Sequence, residues 1–289
     1  MKVVSLFSGM GGLDAGLVEA GHEVVFANDS DKHACATYAQ YLGEHITCCD
    51  IDQLDPHDIP NCDMLVGGFP CQGFSKMRDI DHKGVSNPKN EMYQHVMKFI
   101  DVLKPKHVLL ENVKNIRVSP KFQIILDELV RLGYHVQWKV LNAKHYGVPQ
   151  NRERLFIIAD RMDLPPTNFN LPLPTPLVTL QEALAGLPYD CNEPCAIPNH
   201  RATLSKVKFN NWPGNRVMRW EDASYCITAS GDMHPHPNGH RRLSVRECAR
   251  IQTLPDAMCI SGPLQSQYRQ VGNAVPSKLA CLLGRLFIM

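Results

Sequence analysis

The chain has 289 residues, 44% hydrophobic and 20% charged, a composition typical of a globular protein of about two domains. Its 30 basic and 29 acidic residues give a formal net charge of +1, which excludes a histone-like or tail-driven nucleic-acid binder but not a local basic groove. Eleven cysteines without a C-x-x-C pair, no signal-like segment and no long apolar run argue against secretion and a membrane span. We therefore expect a cytoplasmic protein.

Strand and helix signals alternate through the first 160 residues. Apolar runs of strand length predict strands at 2–7, 23–27, 63–66, 107–110 and 154–159. Amphipathic spacing predicts helices at 13–20, 31–42, 92–103 and 122–132. This order indicates an α/β fold with a mostly parallel sheet covered by helices on both faces.

The sequence changes character after about residue 164. The stretch 165–198 is rich in proline, with one helical candidate at 180–187. Between Arg201 and Arg250, nine Lys/Arg stand against four Asp/Glu, a local charge of +5 in a nearly neutral chain. Helical patterning returns at 245–253 and at 277–287.

A glycine turn, 9–12, separates the first predicted strand from its helix. Backbone N–H groups and missing Cβ atoms let a ligand approach such a turn closely. Asp29 ends the second predicted strand and is suited to bind ribose hydroxyls. Asp14 breaks the dinucleotide pattern G-x-G-x-x-G. The turn alone therefore leaves open a nucleotide-type ligand or a plain strand-to-helix turn.

Cys71 lies in a Gly- and Pro-containing loop that follows the strand 63–66. Ligands of open α/β sheets bind beyond the carboxyl ends of the strands, so this position suits a nucleophile. The alternative is a buried structural cysteine, which we expect for most of the other ten.

Three charged residues stand at the ends of later strands. Glu111 follows an apolar strand and is a candidate proton donor, or else a capping or solvated side chain. Arg152 and Arg154 are two apart in a strand-like segment and so point the same way, which suits a phosphate or a polar base. A solvated strand edge is the alternative for the two arginines.

Taken together, six segments in order resemble the DNA cytosine-C5 methyltransferase family. They are 7–12, 68–72, 111–113, 150–154, 242–252 and 270–276. The resemblance runs from residue 2 to the C-terminus. Only about 165–225 lacks a general family pattern. The family carries its target recognition domain in this part of the chain.

The resemblance implies a Rossmann-like S-adenosylmethionine-dependent methyltransferase fold with a small target recognition domain inserted into it. We expect a catalytic domain at 1–164, completed by 255–289, and the recognition domain at 165–254. The last helix would return to the first domain, and the +5 segment would line one wall of a DNA cleft.

The family further implies S-adenosyl-L-methionine as cofactor and a cytosine flipped out of double-stranded DNA. Cys71 would add to C6, Glu111 would donate to N3, Arg154 would hold O2 and the catalytic loop, and Arg152 would lie near a backbone phosphate. The residues carried over to the cofactor are Phe7, Gly9, Met10, Gly11, Asp29, Asp50, Ile51, Pro70, Met92, Asn273 and Val275.

Residues carried over to DNA binding are Ser75, Arg216, Arg219 and Thr228, with Trp220 as a further candidate. Segments 197–200, 215–217 and 229–231 are similar to members that modify GGCC. Thr228 resembles a threonine that touches the DNA backbone.

A metal site is not expected. His234, His236, His240 and Cys226 lie close in sequence, but prolines separate the histidines and no ligand-pair spacing is present.

Three other functions compete with DNA methylation. A tRNA-methylating branch has a Cys-Phe-Thr signature that we do not find in the target domain. A non-catalytic DNA-binding regulator is disfavoured by Cys71, Glu111 and Arg154, and a nicotinamide oxidoreductase by Asp14 and the Pro70–Cys71 loop. We expect a monomer of bacterial or phage origin. A restriction endonuclease that acts on the same DNA site, without direct contact to this protein, is a candidate functional partner.

Overall fold

The computed structural model describes residues 1–70, 92–172, 175–191, 196–202, 218–230, 234–239 and 241–288. The strands are β1 (Lys2–Leu6), β2 (Glu23–Asp29), β3 (Ile46–Cys48), β4 (Met64–Gly67), β5 (His107–Val113), β6 (Tyr134–Asn142) and β7 (Glu153–Arg161). The helices are α1 (Gly12–Glu19), α2 (Lys32–Leu42), α3 (Met92–Leu103), α4 (Pro120–Arg131), α5 (Leu180–Leu184), α6 (Val245–Ile251), α7 (Leu264–Asn273) and α8 (Ser277–Arg285).

One sheet organises the first part of the chain, with strand order β3-β2-β1-β4-β5-β7-β6. The first five strands are parallel, and β7 runs antiparallel to both β5 and β6. The expected mostly parallel sheet is therefore confirmed, with β7 as an antiparallel strand. Because β7 runs opposite to the other strands, its amino end lies at the same edge of the sheet as their carboxyl ends.

Both faces of the sheet are covered, as predicted. On one face Val4, Leu65 and Val108 pack with residues of α3 and α4. On the other face the alternate residues, such as Val3 and Met64, pack with α1 and α8. Every second side chain of a strand points to the same face, so continuous apolar runs fill two cores.

The last helix of the chain, α8, lies beside the first, α1. It packs along α1, where a Cβ on Gly16 would lie 2.3 Å from the carbonyl oxygen of Ser277. A glycine in α1 is needed here because the backbones of α1 and α8 approach too closely for any side chain.

A third hydrophobic core joins α5, α6 and α7. It includes Leu180 and Ile251 on one side of the predicted domain boundary at 254/255 and Tyr268 and Val271 on the other. The two segments on either side of that boundary thus share one core, and the division into domains stays a prediction. Within the described residues, no helix is both long and apolar enough to cross a membrane.

Candidate active site

Glu111 and Arg154 form an ion pair at the edge of the sheet that holds the carboxyl end of β5 and the amino end of β7. Nε of Arg154 lies 3.1 Å from Oε1 of Glu111, and the two side chains are only 16% and 13% exposed. Strand register places them together, because Arg154 is opposite Val113 on β5, two residues beyond Glu111. A carboxylate and a guanidinium therefore lie side by side, largely shielded from solvent.

The loop that leads to Cys71 passes directly beside this pair. A Cβ on Gly68 would lie 3.3 Å from Oε2 of Glu111, and the Asn112 side-chain amide donates to the carbonyl oxygen of Phe69 at 3.2 Å. The end of β5 thus holds the backbone that follows β4. Cys71 and Ser75 themselves lie outside the described residues.

Arg152 lies inside the protein. Its side chain is buried, and its guanidinium donates to the carbonyl oxygens of Ile227 (2.8 Å), Gly272 (3.1 Å) and Ala274 (3.0 Å). Burial lowers the pKa of Arg152 to about 10. The role near a DNA phosphate stays a prediction, and both Nη groups of Arg152 already donate to carbonyl oxygens inside the protein.

Two buried glutamines extend this connection, and neither was among the predicted site residues. Gln150 accepts from the backbone N–H of Ile227 and donates to Oε1 of Gln252, both at 2.9 Å. Gln252 in turn donates to the carbonyl oxygen of Val271 at 2.7 Å. The sequence did offer one signal for Gln252: it is a polar residue directly after the last apolar residue of α6.

Cys226 is a further residue of this region that the function prediction did not use. Its Sγ lies 3.5 Å from Nη1 of Arg152 and 4.0 Å from Nη2 of Arg154. Both arginines therefore point to the same side of β7, as their spacing predicted.

The glycine turn and Asp29 are joined by a hydrogen bond. The N–H of Gly9 donates to Oδ2 of Asp29 at 2.8 Å, and the N–H of Asp31 donates to Oδ1 at 2.8 Å. Burial raises the pKa of Asp29 above its usual value. A carboxylate has about four lone-pair sites, so Asp29 can accept further hydrogen bonds, such as those of ribose hydroxyls. Phe7, at the start of the turn, adopts a left-handed backbone with φ of 55°.

The last part of the chain packs against this turn. A Cβ on Gly12 would lie 2.5 Å from the carbonyl oxygen of Val275 and 3.0 Å from Cβ of Ala274. The structure thus brings together the two segments expected to hold the cofactor, although more than 260 residues separate them in sequence.

The remaining cofactor candidates differ in exposure. Met10, Ile51 and Val275 are buried, whereas Asn273 is exposed at the end of α7. Met92 is the first residue of α3, and Asp50 and Pro70 are exposed. Asp50 caps a short 3-10 turn by accepting from the N–H of Asp52 at 3.3 Å. Gly11 lies in a left-handed conformation at the start of α1.

The predicted DNA-binding residues are only partly covered by the structure, because Arg216 lies outside the described residues. Arg219 is 76% exposed. Thr228 is exposed, and its hydroxyl lies 3.2 Å from Oγ of Ser230. Trp220 packs edge-on to His236 with ring centroids 5.2 Å apart.

Three arginines of the +5 segment have internal partners. Arg241 pairs with Glu247 through two hydrogen bonds of 2.7 Å, Arg250 pairs with Asp256 at 2.6 Å, and Arg246 is buried against backbone carbonyls. The charge available to DNA from this segment is consequently smaller than the sequence suggests.

His234 and His236 have partners within the protein. His236 lies between Tyr189 and Trp220 and 3.6 Å from Glu247, and burial lowers its pKa to about 4. Nε2 of His234 accepts from the N–H of Thr228 at 3.3 Å. His240 lies outside the described residues. In the part of the chain that the structure describes, no group of three or more His, Cys, Asp or Glu could hold a metal.

A sequence profile described as C-5 cytosine-specific DNA methylase matches residues 1–188 and 189–286. The chain belongs to this family. It is 36% identical to the type II methyltransferase M.MthTI of Methanothermobacter thermautotrophicus, over 97% of this chain and 94% of that relative. It is 33% identical to the type II methyltransferase M.FnuDI of Fusobacterium nucleatum, over 99% of this chain and 93% of that relative.

Solved structures agree on the fold. The S. pombe Dnmt2 methyltransferase superposes with a TM-score of 0.79 at 19% identity, over 100% of this chain and 98% of that one. The Entamoeba histolytica methyltransferase EhMeth superposes with a TM-score of 0.77 at 19% identity, with the same coverage. The protein is therefore a DNA (cytosine-5-)-methyltransferase of restriction-modification type with the Rossmann-like fold, and its cofactor is S-adenosylmethionine.

Proposed function

We propose that this methyltransferase acts through a covalent bond between Cys71 and C6 of a flipped-out cytosine, with Glu111 and Arg154 acting on the same base. The supporting observation is the position of Glu111. Its carboxylate lies between the guanidinium of Arg154 and the backbone of Gly68, three residues before Cys71.

The chemistry explains why these residue types are needed. Cytosine C5 is a weak nucleophile, so the thiolate of Cys71 adds to C6, and the C5–C6 π electrons become available at C5. A proton from Glu111 at N3 neutralises the charge that develops on the ring. C5 accepts the methyl group and then loses its proton to a base. The C6–S bond breaks to regenerate the thiolate, and N3 returns its proton to Glu111.

Arg154 has two roles in this scheme. Its guanidinium donates to the O2 of the cytosine, and its ion pair with Glu111 fixes the carboxyl group toward the base. The limited exposure of both side chains strengthens these interactions, because little water competes for them.

The residues at the glycine turn fit the cofactor. The carboxylate of Asp29 would bind the ribose, and Met10, Ile51 and Val275 would supply apolar surface. Asn273 ends α7, two residues before Val275. Phe7, Gly9, Gly11, Asp50, Pro70 and Met92 complete the proposed set. When bound, S-adenosylmethionine supplies an electrophilic methyl group.

Target recognition is assigned to 165–254, inserted between 1–164 and 255–289. Thr228, Arg219, Arg216 and Ser75 would contact DNA, and the recognition sequence would be GGCC. Support comes from the exposure of Thr228 and Arg219 and from the resemblance of 197–200, 215–217 and 229–231 to members that modify this site.

We further propose that the enzyme acts as a monomer in the cytoplasm of a bacterium, or is carried there by a phage. The relatives named above are type II methyltransferases, which fits a role of protecting DNA from a restriction endonuclease of the same specificity.

Sequencing of a plasmid tests this proposal. The protein is expressed in cells without cytosine methylation, and the plasmid is bisulfite-converted and sequenced, with Cys71→Ser as the control. We expect 5-methylcytosine at one cytosine of each GGCC with the wild-type protein and none with the variant. Methylation of another motif would overturn the specificity, and methyl transfer to tRNA alone would overturn the DNA substrate.

A further inference from the structure

Two cysteines from different elements meet at Asp29. Cys35 lies near the start of α2, is buried, and donates through Sγ to the carbonyl oxygen of Asp29 at 3.3 Å. Cys48 is the last residue of β3, is exposed, and is paired with Asp29 in the strand register. Both are free thiols, and both lie beside Asp29: Cys35 through its hydrogen bond to the Asp29 carbonyl oxygen, and Cys48 as the register partner of Asp29 on the neighbouring strand.

The same oxygen also holds the end of β3. The N–H of Cys49 donates to the carbonyl oxygen of Asp29 at 3.1 Å, so Cys35 and the residue after Cys48 share one acceptor. The carboxylate of Asp29 meanwhile receives the N–H of Gly9. If the distance between α2 and β3 changes here, Asp29 is therefore displaced, and Asp29 is the residue that binds the backbone of the glycine turn.

We propose that Cys35 and Cys48 are a redox-active pair, and that their oxidation to a disulfide by a hydroperoxide weakens cofactor binding at Asp29. The effect on the cofactor rests on the role of Asp29 given under Proposed function. The pairing of the two thiols does not.

The chemistry proceeds in two balanced steps. The exposed Cys48 thiolate attacks a peroxide oxygen, so an S–O bond forms, the O–O bond breaks, and hydroxide leaves from hydrogen peroxide. The Cys35 sulfur then attacks the Cys48 sulfur. The S–S bond forms, the S–O bond breaks, and the proton from Cys35 leaves with the hydroxyl as water. The two thiols lose two electrons, and the peroxide is reduced to water.

The order of attack follows from exposure. Cys48 is accessible to a peroxide in solvent, whereas burial raises the pKa of the Cys35 thiol and keeps it protonated. Only thiolates react with peroxides at a useful rate. Cys35 is thus the resolving thiol.

The disulfide shortens the distance between the two elements. A disulfide holds its sulfurs about 2 Å apart, closer than two sulfur atoms approach without a bond, so formation of the disulfide draws Cys35 Sγ toward β3. This movement removes a donor from the Asp29 carbonyl oxygen and shifts the backbone that carries its carboxylate. We expect the affinity for a cofactor analogue to fall about tenfold, as for loss of one well-oriented hydrogen bond to a charged group.

The test uses the full chain with Cys71→Ser, so that the proposed nucleophile is not oxidised. Protein is treated with hydrogen peroxide, free thiols are alkylated, and the chain is cut after Glu44, which separates Cys35 from Cys48. Mass spectrometry identifies the linked peptides, and calorimetry measures S-adenosylhomocysteine binding before and after treatment and after reduction with dithiothreitol.

We expect a Cys35–Cys48 link and a reversible tenfold loss of affinity. Both should vanish in Cys48→Ser and persist in the matched control Cys49→Ser. Absence of the link at excess peroxide would refute the pair, and a link with unchanged affinity would refute its effect on the site. Failure of the reduced protein to bind S-adenosylhomocysteine would instead count against the proposed cofactor site, while the link would still decide the pairing.

Discussion

Arg154 contacts Glu111 across two antiparallel strands, with 3.1 Å between Nε and Oε1. Because the pair lies beside the loop that leads to Cys71, we expect Glu111→Gln and Arg154→Ala each to lower kcat at least about 100-fold, the usual loss for a general acid or its charged partner. Steady-state methylation of duplex DNA measures this.

The exposed ion pair between Lys114 and Glu153 supplies a control, since its atoms are 2.8 Å apart but its side chains are 34% and 45% exposed. Lys114→Ala should change kcat less than twofold. Comparable activity in Glu111→Gln and wild type would remove Glu111 from the mechanism.

Arg152 is predicted to affect stability rather than DNA affinity. Its guanidinium satisfies three backbone carbonyls, so Arg152→Met should reduce the free energy of unfolding by about 3 kcal/mol. Chemical denaturation measures the loss. The salt dependence of DNA binding should be the same for the folded variant and the wild type.

The exposed Arg219 is the matched comparison for Arg152, because we expect it to affect DNA binding and not stability. Arg219→Ala should leave the free energy of unfolding within about 0.5 kcal/mol of wild type and, if Arg219 meets a phosphate, reduce the slope of log K against log salt by about one. A smaller salt slope for Arg152→Met would support the phosphate role that the buried position argues against.

Gly272 connects the expected DNA-contacting segment to the expected cofactor segment. A Cβ there would lie 2.1 Å from the carbonyl oxygen of Thr228, and Asn273 follows directly. Gly272→Ala should therefore separate the two segments, at a cost of about 1–3 kcal/mol in stability, and lower S-adenosylhomocysteine affinity about tenfold. Gln265→Ala, at an exposed position of α7, should leave the affinity unchanged. Normal binding by Gly272→Ala would show that this contact does not position the cofactor segment.

Asp14 gives a pH-dependent prediction. Its carboxyl is completely buried and accepts from the hydroxyl of Ser5 at 2.7 Å, and burial raises its pKa from 3.8 to about 6. Between these two values the folded state keeps a proton that the unfolded state has released, so stability falls as pH rises, and the full cost is present above about pH 6.

Asp14→Asn removes this ionisation. The free energy of unfolding of the variant, minus that of wild type, should increase by about 3 kcal/mol between pH 4 and pH 6 and then stay level, since two pKa units correspond to that energy. Urea denaturation at several pH values provides the measurement. A difference independent of pH would mean that Asp14 ionises normally in the folded protein.

The sequence predicted most of the fold because burial on both faces produces long apolar runs and clear helical periods. The helix at 92–103 is confirmed. The edge strands β3 and β6 were missed, since β3 has three residues and much of β6 is solvent-facing. Helix α7 was also missed, because it buries polar residues such as Ser266 and Gln270.

The site was predictable as a set of motifs but not as a set of contacts. The resemblance to the family selected Glu111 and Arg154 together, and strand register explains their meeting. Spacing could not show that Arg152, two residues away, is buried, because that depends on carbonyl groups contributed by residues 227, 272 and 274. Long-range backbone contacts of this kind leave no local pattern.

Covalent trapping tests the central claim most directly. Duplex DNA with 5-fluorocytosine at the methylated position is incubated with enzyme and S-adenosylmethionine. Fluorine at C5 cannot leave as a proton does, so elimination of the thiol is blocked. We predict a stable protein–DNA adduct whose digestion yields a peptide linked through Cys71, and no adduct with Cys71→Ser. Turnover of normal DNA by Cys71→Ser at near wild-type rate, or an adduct on another residue, would contradict the mechanism.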